Sequence, residues 1–294
     1  MTDFLFIIAL FDCLVALTPV SLGAFGTAVA EIAARNGNNV RIYARKHEVV
    51  DSINSRRVNP HYLSEFTLSS NVTACNSVEE AFHNCELLIL AIPTQLVPKW
   101  LEDHKALLSP DLLICNTAKG LYLVDNCLLS EAISRVLGRE QPYAILSGPS
   151  FAKEMMLNYP TAVVVASKYL YHAVKIQRAL STLTFRCYTS QDVIGVQLGG
   201  ALKNPLAIGA GLIEGMGMGI NTMAAYLTRS SLELQTLCKA MGGEPQTISG
   251  LSGVGGWYYM MFVLYAVVAM RMPLINVLSI ARRLDADRIR RSLS

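Results

Sequence analysis

Leu87-Leu-Ile-Leu-Ala-Ile92 is a six-residue apolar run that stops at Pro93. A strand with one wet face alternates apolar and polar residues, so a run that is apolar throughout reads as a strand covered on both sides. Leu112-Leu-Ile-Cys115, Ala144-Ile-Leu146 and Ala162-Val-Val-Val-Ala166 repeat the theme, and Val40-Arg-Ile-Tyr43 follows the turn-forming pair Asn38-Asn39. Between these runs, Gly26 to Asn36, Val78 to His83 and Leu128 to Leu137 have helical spacing. Strand and helix in alternation call for a parallel sheet with helices on both faces. The expected fold class is α/β, a doubly wound parallel sheet followed by an all-helical C-terminal domain. After Asp192 the strand signals stop, and Val193 to Ile213 and Asn221 to Met241 read as helices on either side of Gly215-Met-Gly-Met-Gly219. No tether marks the boundary, which falls where the pattern changes, giving domains at 15–190 and 191–294.

Composition narrows the partners. Charged residues are 16% of the 294, against about 25% in an average soluble protein. Apolar residues reach 52% and mean hydropathy is +0.36. A net charge of +3 is too small to hold a polyanion, and the basic group Arg282, Arg283, Arg288, Arg290 and Arg291 is interrupted by Asp285 and Asp287. That is the pattern of a solvated helix face, so no nucleic acid is expected. Seven cysteines without a C-x-x-C point to free thiols, and five scattered histidines give no metal motif. Phe4 to Leu17 is apolar except for Asp12 but has no basic residue ahead of it, unlike a signal peptide. It and the uncharged run Trp257 to Met270 are both shorter than the roughly 20 residues of a membrane span. No membrane partner is expected, and the expected location is cytoplasmic, with an organelle left open.

Ser21-Leu-Gly23-Ala-Phe-Gly26 comes just before helical sequence. Glycines between strand and helix let a pyrophosphate approach the N–H groups of the helix start, so Gly23 and Gly26 are candidate cofactor-binding residues. The first glycine of the usual pattern is here Ser21, and Pro19 sits where the preceding strand would run. The end of the second strand, where an acid would favour a ribose 2′-hydroxyl, reads Tyr43-Ala-Arg45-Lys46. An arginine there can accommodate a 2′-phosphate, so NAD and NADP both stand as cofactors.

Ala118-Lys119-Gly120, Ser147-Gly-Pro-Ser-Phe-Ala152 and Gly200-Ala-Leu-Lys-Asn204 follow in order. With Arg57-Val-Asn59, Ala91-Ile-Pro-Thr94, Gly215-Met-Gly-Met-Gly-Ile-Asn221 and Ala224-Ala-Tyr-Leu-Thr-Arg229, they resemble the signatures of the NAD(P)-dependent glycerol-3-phosphate dehydrogenases. The resemblance runs from about residue 20 to Gly255. It implies that a dinucleotide lies on the sheet and that sn-glycerol 3-phosphate and dihydroxyacetone phosphate are interconverted, a link between carbohydrate and glycerophospholipid metabolism. It implies that Lys203 is the catalytic acid–base, taking the proton of the C2 hydroxyl as hydride leaves for the nicotinamide. A lysine does this only if burial or a neighbouring cation lowers its pKa. Lys119 would be that cation, a second catalytic residue that also touches substrate and cofactor. Gly148, Ser150 and Asn204 are implied substrate contacts, and Ala24, Phe25, Arg45 and Ala152 cofactor contacts. The implied assembly is a homodimer. Asn221 reads as a capping residue, and Cys115 and Cys187 as core.

The chain then departs from the family. Where the family continues from G-L-x-G-x-G into an aspartate that orients the lysine, Gly250-Leu-Ser-Gly-Val-Gly255 is followed by Gly256 and Trp257. The family's later S-R-N segment, whose arginine and asparagine grip the phosphate, has no counterpart, and Met272-Pro273-Leu274 resembles a much later part. Losing a bidentate arginine removes roughly 1.5–3 kcal/mol of charge-assisted contact. A degenerate paralogue and an incomplete gene product both account for the gap. A non-catalytic nucleotide-binding protein is therefore the second functional reading.

Overall fold

The computed structural model describes the backbone of residues 5–10 and residues 22–256. Pro19, Ser21, the run Trp257 to Met270 and the basic group at 282–291 lie outside the described residues. Among the described residues eight strands form one sheet: β1 (Leu5–Leu10), β2 (Asn39–Ala44), β3 (Val72–Cys75), β4 (Leu87–Leu90), β5 (Leu113–Asn116), β8 (Tyr143–Ser147), β9 (Thr161–Ala166) and β10 (Phe185–Ser190). The remaining two, β6 (Leu121–Tyr122) and β7 (Cys127–Leu128), make a small hairpin. The sheet order is β10-β9-β8-β5-β4-β1-β2-β3. The six strands from β3 to β8 are parallel, with Val40 opposite Val72 and Ile89 opposite Cys115. Their order is that of a doubly wound dinucleotide fold, whose chain reverses direction across the sheet between β1 and β4.

Two features go beyond the expected pattern. The apolar stretch near the N-terminus supplies β1, so the sheet reaches back to Leu5, ahead of residue 15. At the other side β9 pairs antiparallel with β8, and β10 follows β9. Between β8 and β9 the chain has only α6 (Ala152–Met156), five residues long. That is too short to carry it back along the sheet, as a parallel crossover requires.

Helices α1 (Leu22–Arg35), α2 (His47–Arg56) and α7 (Leu170–Leu180) join α6 on one face, and α3 (Val78–Phe82), α4 (Val97–Asp103) and α5 (Leu129–Leu137) cover the other. Residues of β4 divide between them: Leu87 and Ile89 enter the first core, Leu88 and Leu90 the second. This explains the uninterrupted apolar run, since neither side of the strand meets water. Each such side chain contributes about 1.5–3 kcal/mol by its burial.

The chain continues into α8 (Val193–Gly215) and α9 (Ile220–Ala240). Asp192 caps α8 by accepting from Gly195 N–H at 2.8 Å, and its other oxygen accepts from Glu244 N–H at 2.9 Å beyond α9. One buried carboxylate thus fixes the start of α8 and the loop that returns to it. Asp192→Ala is expected to cost about 1–2 kcal/mol, read as a lower denaturant midpoint at unchanged m-value. Among the described residues no helix is long and apolar enough to cross a membrane.

Candidate active site

The C-terminal ends of parallel strands share one edge, so the segments after β4, β5 and β8 meet there. After β5, Asn116 is fully buried and clasps the turn, accepting from Ala118 N–H at 3.1 Å and donating to its carbonyl at 3.3 Å. Thr117 donates through both N–H and hydroxyl to the Leu90 carbonyl at the end of β4. Lys119 is thereby aimed across the edge, where its Nζ donates to the Gly148 carbonyl at 3.3 Å, just after β8. Ser150 Oγ donates to the same carbonyl at 3.4 Å.

Lys203 reaches this point from α8. Its approach depends on Gly200, one turn earlier, where a Cβ would stand 2.8 Å from Ser147 Oγ and 3.8 Å from Lys119 Cγ. With no side chain there, α8 lies directly against the end of β8. Lys203 is only 3% exposed, and its side chain lies beside that of Lys119. Burial lowers the pKa of both lysines. Lys119, although it keeps some surface, is pushed well below a free lysine's 10.5 by burial and by the charge of Lys203 beside it. Lys203 is lowered by burial, while its bond to Lys119 pulls the other way. Like charge disfavours two ammonium groups side by side, so the two lysines titrate as a coupled pair.

The helix start lies on the same side. Gly23 and Ala24 are buried in the first turn of α1, together with Gly26. The helix thus begins earlier than its sequence spacing indicates. A Cβ on Gly23 would fall 2.2 Å from the Tyr62 ring. The backbone that carries that ring is held by Asn59, which is buried, accepts from the N–H groups of His61 and Tyr62, and donates to Thr27 Oγ1 at 2.9 Å. Thr27 in turn donates to the Gly23 carbonyl at 2.9 Å. Phe25 links the two halves, with Lys119 Nζ 5.8 Å from its ring centre.

The structure therefore brings together Phe25, Lys119, Gly148, Ser150 and Lys203. Ala152 packs with Phe25 against the same core. Arg45 is exposed beyond the end of β2. Asn204 follows Lys203 on α8, but its side chain is outside the described set. Sequence reasoning did not single out Tyr62, Thr27 or Ser147. The hydroxyl of Ser147 is buried beside Gly200 with no hydrogen-bond partner among the described residues. Residues of these kinds carry no motif of their own, and only the packing reveals them. Gly256 is also beside the pair: a Cβ there would lie 3.3 Å from Lys203 Cδ and 3.8 Å from its Nζ.

Residues 18–173 match the sequence model of the NAD-dependent glycerol-3-phosphate dehydrogenase N-terminus, and residues 192–262 that of its C-terminus. Glycerol-3-phosphate dehydrogenase [NAD(P)+] of Myxococcus xanthus is 42% identical over 80% of this chain and 71% of its own length. The enzyme of the same name from Clostridium botulinum is 40% identical over 79% and 70%. The chain thus spans about seven tenths of these relatives. Among solved structures, glycerol-3-phosphate dehydrogenase from Coxiella burnetii superposes with a TM-score of 0.81 at 27% identity, covering 95% of this chain and 84% of that one.

Proposed function

Because the chain belongs to the NAD-dependent glycerol-3-phosphate dehydrogenase family, we propose that it moves hydride between sn-glycerol 3-phosphate and NAD or NADP, giving dihydroxyacetone phosphate. The observation that carries this reading is the contact of Lys119 with Lys203 at the Gly148 carbonyl. A buried lysine whose proton is weakly held can serve as base for an alcohol and acid for a ketone near neutral pH. In this reading Lys203 exchanges the proton of the C2 oxygen, Lys119 steadies that oxygen, and Gly148, Ser150 and Asn204 position the substrate.

The residues present fit a dinucleotide. The first turn of α1 has no acidic side chain, so its free N–H groups and dipole are available to an anion. Gly23, Ala24, Phe25 and Gly26 would hold the pyrophosphate side, Ala152 and Lys119 the nicotinamide side, and Arg45 the ribose. NAD(P), when bound, supplies the hydride acceptor or donor. The chain's own part is to place the C2 carbon and to move its oxygen's proton through Lys203.

At Arg45 the choice between nucleotides is testable. Arg45→Asp is expected to weaken NADPH binding by roughly 10–100-fold, the worth of a lost charge-assisted phosphate contact, and to leave NADH nearly unaffected. Fluorescence titration with both nucleotides checks this, and equal losses would remove Arg45 from the ribose site.

The reading takes the sheet and its helices, from Leu5 to about residue 190, as the dinucleotide-binding domain and the helices that follow Asp192 as the start of the substrate domain. It also takes the protein to be a cytoplasmic homodimer, which sedimentation equilibrium tests for assembly. The deciding assay is oxidation of NADH and NADPH by the purified chain with dihydroxyacetone phosphate. Turnover supports the enzyme. A folded protein that binds nucleotide without turnover would leave the non-catalytic reading in its place.

A further inference from the structure

We propose that Lys119 and Lys203 act together as a carbonyl-capturing amine pair, in which Lys119 condenses with small ketones or aldehydes to an imine and Lys203 is the acid. The geometry behind this is the packing of α8 onto the end of β8, which sets Lys203 beside Lys119: a Cβ on Gly200, one turn before Lys203, would stand 3.8 Å from Lys119 Cγ, with Lys203 almost wholly buried and Lys119 retaining access to the surface. An ammonium that close to a second one gives up its proton to become a nucleophile, and desolvation reinforces the effect. Lys119 is the one of the two that a carbonyl compound can reach, and burial and the Lys203 charge both lower its pKa. Its remaining contacts suit the role: one N–H is held by the Gly148 carbonyl, and the Phe25 ring stands to one side.

The step balances without a redox partner. Lys119 Nζ forms a C–N bond to the carbonyl carbon as the C=O π pair moves to oxygen, which takes a proton from the Lys203 ammonium. The nitrogen returns a proton to Lys203. The hydroxyl then leaves as water with that proton, and the nitrogen lone pair closes the C=N bond. The resulting iminium gives its proton back to Lys203, so amine and carbonyl have become imine and water. No nicotinamide takes part. The inference borrows from the dehydrogenase reading only its choice of dihydroxyacetone phosphate as the probe.

The test incubates the full chain with dihydroxyacetone phosphate, without nicotinamide, then reduces with borohydride and maps the modified lysines by mass spectrometry. Lys119 is expected to be labelled at least about tenfold more than the exposed Lys99, since each pKa unit changes the neutral fraction tenfold. The preference for Lys119 should grow as the pH falls from about 9 to about 7, a trend that needs no variant. Lys203→Ala should cut Lys119 labelling about tenfold or more by removing the acid. Labelling spread evenly over exposed lysines, or none at Lys119, would overturn the proposal. NADH oxidation measured on the same preparation separates the two readings. Turnover with no adduct sinks the imine alone, whereas an adduct with no turnover supports the imine and counts against the dehydrogenase.

Discussion

Lys203→Ala is expected to lower NADH-dependent reduction of dihydroxyacetone phosphate by roughly 10²–10⁴-fold, the usual worth of a positioned acid–base group, with nucleotide binding unchanged. Lys203→Arg should be nearly as inactive. A guanidinium keeps the charge but does not release its proton, so charge at this point is not sufficient. Single-turnover rates and nucleotide titrations on both variants check this, and an active arginine variant would make Lys203 an electrostatic anchor instead. The same substitution has a signature in stability. Folding lowers the pKa of both lysines from 10.5, so between the folded-state values and 10.5 the unfolded chain binds more protons than the native one. Stability therefore rises with pH through that window and levels off above it. Lys203→Ala should flatten this rise, which chemical denaturation at a series of alkaline pH values would measure.

How far such a site can be read from sequence depends on what holds each residue. Leu87 to Leu90 announce a doubly covered strand because both faces of β4 are dry, and that pattern is written in the residues themselves. The lysines were legible because each sits in a short segment that resembles a known family. β1 was not, since Leu5 to Leu10 belong to a longer apolar stretch whose strand character comes from pairing with β2 and β4. The reversal at β9 was hidden as well, because Thr161 to Ala166 read the same in either direction and only the shortness of α6 decides it. Tyr62 over Gly23 and Ser147 against Gly200 are contacts between segments distant in the chain, made where glycine removes a side chain from one partner. A glycine in a helix signals that something approaches closely but not what it is. The coupling of the two lysines was the least accessible, because it depends on burial and on the approach of segments far apart in the chain.

Gly256→Asp is the substitution with the next largest expected effect, and it acts on that coupling directly. A Cβ at this position stands 3.8 Å from Lys203 Nζ and 3.3 Å from Cδ, so a short carboxylate would meet the ammonium, with the lysine's flexible stem able to give way. The family that the sequence resembles carries an aspartate at this position. An opposite charge within about 4–6 Å raises a lysine's pKa by about 1–3 units. Ketone reduction needs Lys203 protonated, so the alkaline limb of its kcat/KM profile should move to higher pH by that amount. Imine labelling of Lys119 should change as well. A carboxylate on Lys203 weakens its repulsion of Lys119, which then holds its own proton more firmly and captures less carbonyl near pH 7. One added charge would thus strengthen the hydride-transfer chemistry while suppressing the amine chemistry. An unmoved pH profile in a folded variant would mean that the carboxylate turns away from Nζ and that position 256 has no hold on the pair.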